Sequence, residues 1–82
     1  MTKYMHLKEM ALAIHERFGG APTVDVVNGA VVFRDSVVTL QMIANRLAEC
    51  LWVVDTPGGY HTFRRTDEVL DVLASIYSYS LV

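Results

Sequence analysis

The first apolar pattern along the chain has a helical period. Leu7, Met10, Ala11, Ile14 and Phe18 fall at i, i+3, i+4, i+7 and i+11, one stripe of a 3.6-residue helix, while Lys8, Glu9, Glu16 and Arg17 lie off it. This spacing predicts a helix over 4–19. Gly19-Gly20 supplies a left-handed stop, and Pro22 cannot continue the helix. The period then changes. In TVDVV-NG-AVVFR, two β-rich runs flank Asn28-Gly29, a dipeptide suited to a two-residue hairpin turn because both turn positions need positive φ. Such a turn pairs Val27 with Ala30, Val26 with Val31 and Val24 with Phe33. Val24, Val26, Val31 and Phe33 would then share an apolar face, with Asp25, Val27, Ala30, Val32 and Arg34 on the other.

Leu40, Ile43, Ala44, Leu47 and Leu51 return to helical spacing, with Cys50 beside them and Asn45, Arg46 and Glu49 facing outward. Ser36 stands where such a helix would need its cap. Trp52-Val53-Val54-Asp55 reads as a strand, Thr56-Pro57-Gly58-Gly59 as a type II turn, and Tyr60–Arg65 as the returning strand. Thr66 caps a third predicted helix, with Asp67 and Glu68 in the first turn, where the helix dipole favours negative charge. Val69, Leu70, Val72, Leu73, Ile76 and Tyr77 form its apolar face, and the tail from Ser78 is expected to fray.

The two hairpin-and-helix stretches resemble each other. Residues 23–47 set against 53–77 give seven identities in 25 ungapped pairs, where roughly two would arise by chance. Val24, Asp25, Gly29, Phe33, Arg34, Leu40 and Ala44 meet Val54, Asp55, Gly59, Phe63, Arg64, Leu70 and Ala74. The expected fold is therefore one α+β domain over 1–82 in the order αββαββα, with an internal repeat of ββα units at 23–51 and 52–79. Four antiparallel strands would form the sheet, with the second and third helices on its apolar face. Trp52, Val54, His61 and Phe63 extend that face. The opposite face, with Asp25, Val27, Ala30, Val32, Arg34, Val53, Asp55, Tyr60, Thr62 and Arg64, is half apolar, unusual for a face left in water. Either the first helix or a partner should cover it.

Composition sharpens that point. The 82 residues are 52% hydrophobic and 20% charged, with mean hydropathy +0.30. A chain this short buries only about 60–65% of its unfolded surface, so an apolar surplus suggests burial against another chain. The net charge of −2 and pI of about 5.8 disfavour a strongly basic nucleic-acid binder. The longest uncharged runs, Ser36–Asn45 and Val72–Val82, are far short of the ~20 residues of a membrane span. The N-terminal MTKYMHLKEM lacks a signal peptide's apolar core, and a single cysteine fits a reducing cytoplasm.

Candidate chemistry is sparse. His6 and His15 are about half a turn out of phase on one helix, and His61 belongs to a strand, so no metal-ligand spacing arises. Cys50 falls late in a predicted helix, a packing position rather than that of an activated thiol. Gly19-Gly20 and Gly58-Gly59 match no phosphate-loop pattern. Ser36, Thr66 and Ser75 lack a histidine and carboxylate at triad geometry. Asp25 with Arg34, and Asp55 with Arg64, could form diagonal cross-strand ion pairs. No catalytic, cofactor or metal residue is expected, and the chain reads as no enzyme.

The expected function is that of a non-catalytic interaction module, forming a homodimer and binding, blocking or bridging a protein partner. Val27, Val32, Arg34, Tyr60, Thr62, Arg64 and Arg65 are its candidate partner-binding residues. In profile, a short acidic domain without a catalytic constellation, it resembles the small inhibitor proteins of phages and mobile elements, anti-CRISPR proteins among them. That likeness covers no particular residues. The alternative is a nucleic-acid-binding or regulatory protein using Arg34, Arg64, Arg65 and Arg46, since basic groups beside aromatics can hold single strands.

Overall fold

A computed structural model of the chain describes residues 2–43 and 46–77, with side chains described outside 43–50. The predicted fraying tail lies outside the described residues. Seven elements follow in the order α1 (Lys3–Phe18), β1 (Thr23–Asp25), β2 (Ala30–Phe33), β3 (Ser36–Ile43), β4 (Arg46–Thr56), β5 (Gly59–Phe63) and α2 (Thr66–Tyr77). The strands form one antiparallel sheet in chain order, each beside its sequence neighbour. The fold is α+β, with two helices and five strands among the described residues.

The first helix forms as its pattern dictates. The Thr2 hydroxyl accepts the Met5 amide at 3.2 Å, and Leu7, Met10, Ile14 and Phe18 are buried. Gly19, at φ 73°, ends the helix by donating its amide to the His15 carbonyl. In α2, Val69, Leu73 and Tyr77 are buried, and Leu70, Val72 and Ile76 pack at the margin.

The second predicted helix does not exist. Residues 36–43 form β3 and residues 46–56 form β4, so the sheet gains a strand and the repeat is not borne out: residues 36–43, aligned with 66–73 of α2, are extended. The physical reason is in the first half of the segment. Val37, Val38 and Thr39 are β-branched and lose side-chain freedom in a helix. Their burial alternates with period two, Ser36, Val38 and Leu40 buried and Val37 and Thr39 half-buried. Val38 and Leu40 pair with Val54 and Trp52 of β4 on the core side. The Ser36 hydroxyl, instead of capping a helix, forms a buried 2.6 Å hydrogen bond with that of Tyr77 at the end of α2. Cys50 belongs to β4, where its backbone pairs with Met42, not to a helix.

The first hairpin is also reregistered. Asp25, not Val27, pairs with Ala30, and Val24 faces Val31. A four-residue loop replaces the two-residue turn because the Asp25 carboxylate accepts the backbone amide and the side-chain amide of Asn28, at 3.1 and 2.7 Å. Those two bonds hold the Asp25 carboxyl below its ordinary pKa, the side-chain bond contributing most. Val26 leaves the apolar face, and Val27 stands 95% exposed at the loop. Gly29, at φ 64°, closes the loop, and its carbonyl accepts the Leu40 amide.

Both helices belong to one side of the sheet. Leu7, Met10, Ile14 and Phe18 of α1 and Val69, Leu73 and Tyr77 of α2 share a core with Val31, Phe33, Val38, Leu40, Trp52 and Val54. Phe33 lies between the helix ends, 5.7 Å from the Phe18 ring and 5.5 Å edge-on to Tyr77. Helix α1 therefore joins α2 and does not cover the opposite face.

Candidate functional site

The register determines which residues occupy the uncovered face. Thr23 and Asp25 of β1, Ala30 and Val32 of β2, Val37, Thr39 and Gln41 of β3, Leu51, Val53 and Asp55 of β4, and Tyr60 and Thr62 of β5 alternate with the core residues. Val32 and Val37 face each other, Thr39 faces Val53, and Asp55 faces Tyr60. A depression of about 380 Å³ opens here, lined by Val37, Thr39, Leu40, Gln41, Met42, Val53, Asp55 and Tyr60, with Lys3 contributed by α1. Its floor is aliphatic, and a cation and a carboxylate are among its lining groups. Tyr60, 69% exposed, stands at the β5 side.

Of the seven candidate residues, the structure places Val32, Tyr60 and Thr62 on this face. Val27 is at the β1–β2 loop. Arg34 occupies the β2–β3 turn at φ 53°, its guanidinium 4.9 Å from the Phe33 ring and 5.2 Å from that of Tyr77. Arg64 and Arg65 follow β5 at the opposite end of the sheet from Arg34, since β2 and β5 run in opposite directions in this antiparallel order: one end holds the close of β2 and the start of β3, and β5 leaves from the end of β4 on that same side. Arg65 grips Asp67 through two hydrogen bonds of 3.1 and 2.9 Å. The diagonal ion pairs of Asp25 with Arg34 and of Asp55 with Arg64 do not form, because the paired groups lie toward opposite ends of their strands. Ion pairs form instead between Arg17 and Asp71 and between Arg65 and Asp67. Arg46 begins β4, and its side chain is outside the described set.

Lys3, Val37, Thr39 and Gln41 were not foreseen in this surface. Assigning 36–51 to a helix removes Val37, Thr39 and Gln41 from the sheet, although the alternation from Ser36 to Met42 is the signal that finds them; Lys3 reaches the depression from α1, which no local pattern indicates.

His15, His61 and Ser75 are engaged in local structure. One ring nitrogen of His15 contacts the Gly20 carbonyl oxygen at 2.6 Å, and His61 stacks on Phe63 with ring centroids 6.1 Å apart. Ser75 donates to the Val72 carbonyl. Among the described residues, no three His, Cys, Asp or Glu gather where a metal could bind, and no helix is long and apolar enough to cross a membrane. No known family model, curated protein or solved structure matches the chain.

Proposed function

We propose that this chain is a non-catalytic interaction module, of the kind made by phages and mobile elements as inhibitors, that binds and blocks or bridges a protein partner through the uncovered face of its sheet. The observation that carries the reading is the placement of α1 and α2 on one side, which leaves Val32, Val37, Val53 and Tyr60 on a face that neither of them covers. Protein surfaces that join apolar floor, an exposed tyrosine and a few charges at the margin have the make-up of interface cores. Lys3 and Asp55 would then orient the partner rather than supply most of the affinity.

The nucleic-acid alternative has less behind it. Arg34 is stacked on two rings, Arg65 is committed to Asp67, and Arg34 and Arg64 stand at opposite ends of the sheet.

The test is capture of a partner by the tagged chain from its own cells, followed by binding of the purified pair. Val32→Glu and Val37→Glu should each weaken binding at least tenfold while the circular dichroism spectrum is kept. Undiminished binding by both folded variants would refute the assignment of this face. Retention of RNA or DNA at low salt, lost on Arg64→Ala, would favour the alternative.

A further inference from the structure

We propose that β5 is a self-pairing edge, through which two copies of the chain join their sheets into one antiparallel layer of ten strands. This deepens the reading above and rests on it, because the joined layer would present two uncovered faces side by side.

The two sheet edges differ. Strand β1 has three residues and closely follows Pro22, so it offers little to pair with. Strand β5 has five, Gly59–Phe63, with no proline, lysine or bulge, and among the described residues no element pairs with its outer side. The Thr56↔Gly59 pair closes a two-residue turn, so hydrogen-bonded pairing with β4 alternates from there: Gly59, His61 and Phe63 face β4 through their backbone groups. The N–H and C=O of Tyr60 and Thr62 therefore point away from the sheet.

That pattern is complementary to itself. A two-fold axis at His61 sets Tyr60 of one copy opposite Thr62 of the other, twice over, and all four outward N–H groups meet outward carbonyls. Gly59–Phe63 carries no Asp, Glu, Lys or Arg, so the copies bring no acidic or lysine/arginine charge against its like. Just beyond, Arg64 falls diagonally across from the second copy's Tyr60, whose β4 neighbour is Asp55. A guanidinium thus reaches a ring with a carboxylate behind it, a favourable sequence of charges. On the helix side, exposed His61 and half-buried Phe63 would meet their equivalents.

The test uses the full chain. Sedimentation should give twice the 9.2 kDa chain mass. Thr62→Pro deletes an outward N–H and leaves the β4 ladder intact; it should raise the dimer dissociation constant at least tenfold. In a Cys50→Ser background, His61→Cys should cross-link under copper–phenanthroline oxidation, because residues facing across the axis form a close, non-hydrogen-bonded pair. Thr62→Cys, whose copies stand diagonally apart, should not. A chain that stays at single mass at millimolar concentration, or one in which Thr62→Cys cross-links as well as His61→Cys, overturns the proposal. Partner binding that still fails in Val32→Glu and Val37→Glu while the chain is monomeric would leave the face assignment standing and remove only the self-pairing.

Discussion

The hydrogen bond between Ser36 and Tyr77 separates the strand reading of residues 36–43 from the helical one. In the structure, the Ser36 side chain is wholly buried at the start of β3, and the Tyr77 hydroxyl lies 2.6 Å from it. Tyr77→Phe leaves the ring packed against Phe33 but removes the partner of a hydroxyl with no access to water. A buried hydroxyl left unsatisfied costs about 1–3 kcal/mol. In a domain of this size each kcal/mol moves the melting temperature by roughly 4–8 °C, so a loss of several degrees is expected. Ser36→Ala should cost less, because Tyr77 as a residue keeps some exposure, 8%, where Ser36 has none. The double variant, with both polar groups gone, should be less destabilised than the two single losses combined. Thermal melts followed by circular dichroism, with urea titrations for the free energies, give all three values. Were Ser36 a helix cap, Ser36→Ala alone would be costly and Tyr77→Phe silent. A silent Tyr77→Phe, or strictly additive single effects, would refute the assigned contact.

Two further outcomes follow from named contacts. Val38 is fully buried in β3 but would fall off the stripe of a helix, so Val38→Ala should cost about 2 kcal/mol, while exposed Gln41→Ala stays within about 0.5 kcal/mol; equal effects in urea denaturation would refute the register. Asp25 should titrate below the ordinary value of about 3.9 when followed by carboxyl NMR shifts, and Asn28→Ala should raise it part of the way back, because the side-chain donor is lost while the backbone amide of residue 28 still donates. Because the folded-state pKa is the lower one, the loop's stabilisation by Asp25 is present above the unfolded value and is lost as the pH falls through the folded value. An Asp25 pKa unmoved by Asn28→Ala would refute the assigned cause.

The helices were legible from local pattern. The stripe of Leu7, Met10, Ile14 and Phe18 and the run from Val69 to Tyr77 each bury the residues their spacing indicates. So was the place of the second hairpin, with Pro57-Gly58 at its turn and Thr56↔Gly59 closing it, but the turn is not the expected type II: Gly58 lacks the positive φ that type requires, and the positive φ falls on Gly59 at 143°. The segment from Ser36 was different, because it carries two periods at once. Leu40, Ile43, Ala44 and Leu47 fit a helix, and Ser36, Val38 and Leu40 fit a strand. Local propensity favours neither strongly enough to choose.

What the chain alone determined is the apolar faces of its two helices, because side-chain hydrophobicity and spacing are properties of neighbouring residues. What only the tertiary structure decided is which partner each ambiguous segment meets. Val38 and Leu40 become strand residues because Val31 on one side and Val54 and Trp52 on the other offer ladder bonds and shared burial beneath two helices. Likewise Asp25 bonds Asn28 rather than Arg34 because the loop brings the amide within reach while the arginine lies at the far end of its strand. Contacts between residues distant in sequence decide such cases, and their energy exceeds the few tenths of a kcal/mol per residue by which local preferences differ.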